Sequence, residues 1–131
     1  MIKQMNEFKN RNPCTYKKLV DEVAECAYLS TLACRERAWH TFLLELRKSE
    51  KALSELGKTS GVNIETPDLK LLSGIANKYG AAGKLSGAGG GDCGIAVCFD
   101  DDTAIKVVEG WKEAGICPID TSIDSEGVRK E

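Results

Sequence analysis

The sequence predicts an α+β domain in which a small, mostly antiparallel sheet is covered by helices on one face. Three observations support this fold class. Apolar residues recur at helical spacing from Tyr16 to Tyr79, short apolar runs follow from Ile95 onward, and glycines concentrate between these two regions. At 131 residues, with 42% hydrophobic and 29% charged residues, the chain has the size and composition of a single domain spanning 1–131.

Two amphipathic helices are predicted first, after a polar leader at 1–14. One spans Tyr16–Leu32, and the other runs from Trp39 to Gly57, a glycine in the position that commonly follows a helix. The periodic positions are Leu19, Val20, Val23, Ala27 and Ser30 in the first helix, and Trp39, Phe42, Leu43, Leu46, Leu53 and Leu56 in the second. A hydrophilic stretch at 58–65 is predicted to be only a connecting loop.

A third helix has clear start signals. Thr66 can cap its first turn, Pro67 fits the first helical position, and Asp68 suits the positive end of the helix dipole. Its buried stripe is Leu69, Leu72, Ile75 and Tyr79, and Gly80 ends it.

The last third of the chain is predicted to alternate strands with one helix. Gly94–Asp100 is apolar on both faces, which is typical of a central strand, and Lys84–Gly87 is a candidate strand before it. The alternating run Ile116–Ile123 predicts an edge or bulged strand because it contains Pro118, and a turn at 125–127 leads to a short strand from Val128. Between these strands, Asp101 or Asp102 caps a helix with inward residues Ile105, Val108 and Trp111, stopped by Gly115.

Charge and composition argue against several functional classes. The net charge of −2 comes from interleaved lysines and glutamates, so no basic footprint for nucleic acid is present. No run is long enough to span a membrane, and the leader lacks the apolar core of a signal peptide, so we expect a cytoplasmic protein. Six cysteines without a CxxC pair, together with the single His40, predict no metal site and thiols that are small core or loop residues, with Cys93 as the candidate for reactivity.

Glycine density marks the candidate functional segment. Seven of the 13 glycines lie between Gly80 and Gly94, although glycine costs about 0.5–1 kcal/mol relative to alanine inside a helix or strand. Successive glycines allow positive φ angles, and they can turn several backbone N–H groups toward one point to form an anion site. A tight connection in which the glycines only avoid clashes is the alternative.

Two common phosphate-binding motifs do not fit this segment. Residues 89–94 match GxGxxG, but that fingerprint must follow a strand and open a helix, whereas here a strand follows. A Walker A loop needs four residues between its first glycine and the Gly-Lys pair, and a Ser or Thr after the lysine. Gly80 and the Gly83-Lys84 pair are separated by two residues, and Leu85 follows.

The stretch Lys84-Leu85-Ser86-Gly87-Ala88-Gly89-Gly90-Gly91-Asp92-Cys93-Gly94 resembles the third, C-terminal glycine-rich motif of the galactokinase, homoserine kinase, mevalonate kinase and phosphomevalonate kinase (GHMP) superfamily. The Asp-Cys-Gly ending is most similar to the phosphomevalonate kinase branch. The resemblance is specific over 81–99 and looser over 38–128. It implies the ferredoxin-like C-terminal domain of these kinases.

The resemblance also implies which residues meet phosphate. Ser86, Gly87, Ala88, Gly89, Gly90 and Gly91 would line the active-site cleft with their amides directed at phosphoryl oxygens. Lys84 is either an electrostatic clamp for phosphate or a solvated lysine. Asp92 either folds back on loop amides or faces the cleft to meet a substrate hydroxyl or the metal.

Members of this superfamily bind MgATP mainly through an N-terminal domain that also supplies the catalytic residues. No second glycine- and serine-rich motif occurs here, so no catalytic residue is predicted in this chain. The resemblance implies a kinase C-terminal domain that works with an N-terminal domain, ATP and a small phosphorylated substrate, and that is inactive alone and prone to self-association. A mevalonate or homoserine kinase domain and a stand-alone phosphate-binding scaffold are the alternatives.

Overall fold

The computed structural model describes residues 1–87, 89–91, 93–122 and 125–127. Within these residues the chain forms five helices and two strands. They are α1 (Ile2–Arg11), α2 (Pro13–Arg35), α3 (Trp39–Ser60), α4 (Pro67–Lys78), β1 (Ala82–Leu85), β2 (Gly94–Val97) and α5 (Asp101–Glu113).

The polar leader forms helix α1, which the sequence analysis did not predict. Its one buried residue is Phe8, which packs edge-on against Tyr16 of α2 with ring centroids 6.3 Å apart. Pro13 starts α2 directly after α1, in a position where its missing N–H leaves no hydrogen bond unmade. A single buried aromatic side chain therefore ties a mostly polar segment to the domain.

Helices α2 and α3 form a long antiparallel pair. Both are longer than predicted, and Ala27, assigned to the inward stripe of α2, is exposed. Helix α3 ends at Ser60 with Gly61 in the left-handed conformation at φ 71°, so the predicted end at Gly57 is wrong. A Cβ atom on Gly57 would lie 3.1 Å from the Val62 carbonyl oxygen, so close packing inside α3 explains this glycine.

Helix α4 confirms the start signals in the sequence. The Thr66 hydroxyl accepts a hydrogen bond from the Leu69 amide at 3.3 Å, and Pro67 occupies the first turn. Gly80, at φ 96°, follows the helix. Arg47 of α3 then donates hydrogen bonds to the carbonyl oxygens of Gly80 and Ala81 at 2.7 Å each, which fixes the turn that leads into β1.

The sheet is a two-stranded antiparallel hairpin whose register runs from the pair Ala82 and Val97 to the pair Leu85 and Gly94. On β1, the amides of Gly83 and Leu85 donate hydrogen bonds to side chains. Asn77 Oδ1 accepts from Gly83 at 3.1 Å, and Glu50 Oε2 accepts from Leu85 at 3.0 Å. The predicted central position of β2 is wrong, since within the described residues it pairs with β1 alone.

Helix α5 starts one residue earlier than predicted. Asp100, rather than Asp101 or Asp102, is the cap, and its Oδ1 accepts from the Thr103 amide at 2.7 Å. Ile105 is 54% exposed and does not face inward, whereas Val107 is buried.

Residues 116–122 form no strand, so the predicted strand at Ile116–Ile123 is wrong over that range, while Ile123 lies outside the described residues. Pro118 has no amide to donate to a sheet, and Ile119 is 72% exposed. The predicted strand from Val128 also lies outside the described residues.

Two apolar clusters hold the elements together. The larger joins α1–α4 to Leu85, and the smaller joins α4, α5 and the hairpin around Ala76, Ala81 and Val107. The α+β prediction, a small antiparallel sheet among helices, is confirmed. Within the described residues, no helix is long and apolar enough to cross a bilayer.

Candidate functional site: the glycine loop

The glycine loop, residues 86–93, connects β1 to β2. Its base is closed by a hydrogen bond of 3.1 Å from the Ser86 amide to the Cys93 carbonyl. Within the loop, the Gly90 amide donates to the Ile64 carbonyl at 2.6 Å. These two predicted phosphate donors are therefore already engaged in this conformation.

Three loop residues have positive φ angles, which explains why they are glycines. The angles are 87° at Gly87, 78° at Gly89 and 63° at Gly90. Gly89 also lies against the chain, because an added Cβ would be 2.7 Å from the Ile64 carbonyl oxygen. At Gly90 the same atom would be 2.9 Å from the Asn63 carbonyl oxygen.

The segment 61–65 thus holds the middle of the glycine loop. The prediction that 58–65 is only a connector is wrong, since Val62 and Ile64 are buried and Ile64 contacts the loop directly. Two apolar residues at alternate positions in an otherwise polar connector are the signal that could have shown this.

Fewer loop amides are available to bind phosphate than the sequence predicts. Among the described residues, the amides of Gly87, Gly89 and Gly91 have no hydrogen-bond acceptor. Gly87 and Gly91 are exposed, so a phosphoryl oxygen can approach them from solvent. Ala88 and Asp92 lie outside the described residues, and the predicted role of each stays a prediction.

Lys84 is half-buried on β1, next to the start of the glycine loop. Its Nζ donates to the Leu85 carbonyl at 2.7 Å. A primary ammonium has three N–H donors, so this contact leaves donors for an anion near the loop. Both predicted roles of Lys84, a phosphate clamp or a solvated lysine, stay predictions.

A cavity of about 360 Å³ lies beside the loop base. Its lining includes Ser86 and Cys93 from the two ends of the loop, and Trp111 of α5, whose indole N–H donates to the Leu72 carbonyl at 3.0 Å. The stretch 116–119 and Thr121 form the opposite side. The sequence did not indicate this side of the cavity, because the same residues were predicted to form a strand.

Other chemistry-bearing residues do not form a second centre. No group of three or more His, Cys, Asp or Glu residues in the described residues can hold a metal ion. His40 is exposed on the first turn of α3, and the thiols of all six cysteines are free. Burial, and next the charge of Asp100, raise the pKa of the Cys98 thiol, which makes it less reactive.

The fold and the loop together define a kinase domain family. The family model of the GHMP kinases C terminal matches residues 33–117, more than half of the chain. The chain therefore belongs to the C-terminal domain family of the GHMP kinases.

Individual relatives agree with this assignment. The chain is 31% identical over 121 residues to a phosphomevalonate kinase of Streptomyces sp. (strain CL190), which covers 90% of this chain and 32% of that protein. The crystal structure of a Lin0012 protein from Listeria innocua matches with a TM-score of 0.82 and 34% identity, over 87% of this chain and 32% of that one.

A mevalonate kinase of L. major, solved in complex with R-mevalonate, shares the fold. The TM-score is 0.75 at 18% identity, over 86% of this chain and 33% of that one. The chain thus spans about a third of the length of each of these relatives.

Proposed function

We propose that this chain is the substrate-side C-terminal domain of a phosphomevalonate kinase, which transfers the γ-phosphoryl group of MgATP to 5-phosphomevalonate in the mevalonate pathway of isoprenoid synthesis. The observation that carries the proposal is the 31% identity to a phosphomevalonate kinase over 90% of the chain. Under this proposal the enzyme works in the cytoplasm, where it meets ATP.

The loop would contribute by positioning and by neutralising charge, which are the main sources of catalysis in phosphoryl transfer. Gly87 and Gly91 offer exposed amides, and Lys84 adds a positive charge beside them. Hydrogen bonds from these groups would hold the phosphate of the acceptor or the group in transfer. None of them is proposed as a general base or nucleophile.

We further propose that ATP and the catalytic residues come from an N-terminal domain, and that this chain alone does not turn over ATP. Self-association of the isolated chain remains a prediction. Trp39 and Phe99 are the residues on which we expect it to depend, because their rings lie 4.8 Å apart and are 41% and 49% exposed.

The acceptor is tested by joining this chain to the N-terminal two thirds of the Streptomyces kinase and measuring ADP release. We expect turnover with 5-phosphomevalonate and little with mevalonate or homoserine. Turnover with one of the other acceptors would assign the chain to a different branch of the family, and no turnover with any of the three would contradict the proposal.

The loop is tested with a matched pair of variants in the same enzyme. Gly87→Ala and Gly80→Ala both introduce a Cβ at positive φ, 87° and 96°, with no described atom within 4 Å. They should lower stability by similar amounts, but only Gly87→Ala should raise the KM for 5-phosphomevalonate, by about tenfold for one lost charged hydrogen bond. An equal KM for both variants would show that the loop does not contact substrate.

A further inference from the structure

Glu50 of α3 carries a buried carboxyl group that touches the base of the glycine loop. The residue is 5% exposed, and its Oε2 accepts the hydrogen bond from the amide of Leu85, the last residue of β1. Leu85 itself is 1% exposed and directly precedes Ser86. A carboxyl group at this depth must be hydrogen-bonded to be tolerated.

The second oxygen of this carboxyl group has no partner while Glu50 is ionised. Glu50 Oε1 is buried and accepts no hydrogen bond from the described residues. Glu65 is the neighbouring carboxyl group that acts on Glu50, and its Oε2 accepts from the Ser54 hydroxyl at 2.6 Å. A proton on the Glu50 carboxyl group would make it a donor to Glu65.

The surroundings of Glu50 favour its protonated form more than water does. Burial raises the pKa of Glu50, and the neighbouring Glu65 raises it further through its charge and as a hydrogen-bond partner. The Leu85 amide and the positive charge of Lys84 act in the opposite direction. Among the described residues, the charged groups that act most strongly on Glu50 are Glu65 from the connector and Lys84 from β1.

Glu65 connects this pair to the middle of the glycine loop. It follows Ile64, whose carbonyl accepts from the Gly90 amide and whose backbone lies against Gly89. The glycine loop is thus held at two places, at Leu85 and at Gly89 and Gly90. Glu50 binds the first itself, and it is linked to the second through Glu65. Along the chain, these two places lie on either side of Gly87.

We propose that Glu50 is a positioning residue for the glycine loop: its buried carboxyl group joins the end of β1 to the segment that holds Gly89 and Gly90. Glu50 touches no phosphate and acts only through the loop backbone. Its importance for phosphoryl transfer rests on the proposed function, whereas its effect on loop geometry does not.

The direction of the pH effect follows from the raised pKa. The folded state holds a proton that the unfolded chain releases more readily. The contribution of Glu50 to the free energy of unfolding is therefore complete below the ordinary glutamate pKa of 4.5. It is lost as the pH rises through the pKa of Glu50 in the folded chain. Glu50→Gln keeps the shape, an acceptor for Leu85 and a donor for Glu65, but cannot titrate.

The test is a pH titration of the full 131-residue chain followed by amide NMR, without substrate. The Leu85 and Gly90 amide resonances should titrate together in the wild type with a midpoint above 4.5. In Glu50→Gln both resonances should stay near their low-pH positions. In Glu50→Ala the hydrogen-exchange protection of both amides should fall at least about tenfold.

Glu45→Gln is the matched control. Glu45 lies on the same helix, is also 5% exposed and also has an oxygen without a hydrogen-bond partner in the described residues, but its other oxygen binds Lys48 on the side facing α2. It should leave the Gly90 titration unchanged. A Gly90 resonance that ignores pH in the wild type, or that still titrates in Glu50→Gln, would overturn the proposal, and neither result depends on kinase activity.

Discussion

The glycines of the hairpin strands and those of the loop between them are glycines for different reasons. On β1, a Cβ at Gly83 would lie 2.6 Å from the Ser73 Cα of α4. On β2, a Cβ at Gly94 would lie 2.8 Å from a Leu72 methyl group. In the loop, Gly87 and Gly91 meet nothing closer than 4.0 Å among the described residues.

This contrast separates glycines that packing requires from glycines that are exposed. The strand glycines let α4 lie directly on the hairpin, so their role is complete without any ligand. Of the two exposed loop glycines, Gly87 needs its positive φ, whereas Gly91 has neither a positive φ nor a packing contact in the described residues. Gly89 has two structural reasons to be glycine, a positive φ and contact with Ile64.

Gly83→Ala should have the largest effect on stability. The new methyl group would meet backbone atoms of Ser73, which cannot rotate away, so we expect a loss of about 3 kcal/mol in the free energy of unfolding. Urea denaturation followed by circular dichroism measures it. Gly74→Ala on α4 is the control, since its Cβ meets no described atom within 4 Å, and it should stabilise the chain by about 0.5 kcal/mol. Equal stability of the two variants would refute close packing at Gly83.

Gly89→Ala should have an intermediate effect, about 2 kcal/mol, because the loop can shift to relieve the contact with Ile64. The shift should break the hydrogen bond from Gly90 to Ile64, so the Gly90 amide should exchange faster with solvent. Normal exchange at Gly90 in this variant would mean that the connector does not hold the loop.

Gly91→Ala should have the smallest effect, within about 0.5 kcal/mol of the wild type. Its φ is not positive, and the nearest described atom to a new Cβ is the Gly89 carbonyl oxygen at 4.0 Å. Thermal unfolding provides the measurement. A clear loss of stability would place Gly91 with the strand glycines and weaken the functional reading of the loop.

Four of the five helices in the described residues were predictable because their signals are local. Thr66 and Pro67 mark the start of α4 through interactions within one turn, and the structure confirms both. The cap of α5 was misplaced by one residue because three consecutive aspartates, at 100–102, each have the side chain a cap requires. Local chemistry alone does not choose among them.

The strand predictions were wrong where contacts between residues far apart in sequence decide the structure. The apolar run at 94–99 suggested a central strand, yet Ile95 is 42% exposed and the sheet has two strands in the described residues. Phe99 lies beyond the end of β2 and packs against Trp39. An apolar side chain that packs against an aromatic partner at the surface and one buried inside a sheet give the same sequence pattern.

For the candidate site, the sequence located the loop but not its supports. The glycine spacing was sufficient to identify the family motif, and the family is confirmed. Ile64 and Glu50 are separated from the loop by more than 20 residues of sequence, and an isolated glutamate on a helix gives no sign that it is buried. Which loop amides stay available depends on these distant contacts.

The outer edge of β1 has a consequence for assembly. Asn77, Glu50 and Arg47 bind the amides and carbonyl oxygens that an additional strand would need, at Gly83, Leu85 and Ala81. An extended peptide from another molecule would have to displace three side chains to pair there, which protects against ribbon-like aggregation. Growth of this sheet is thereby restricted to the side of β2.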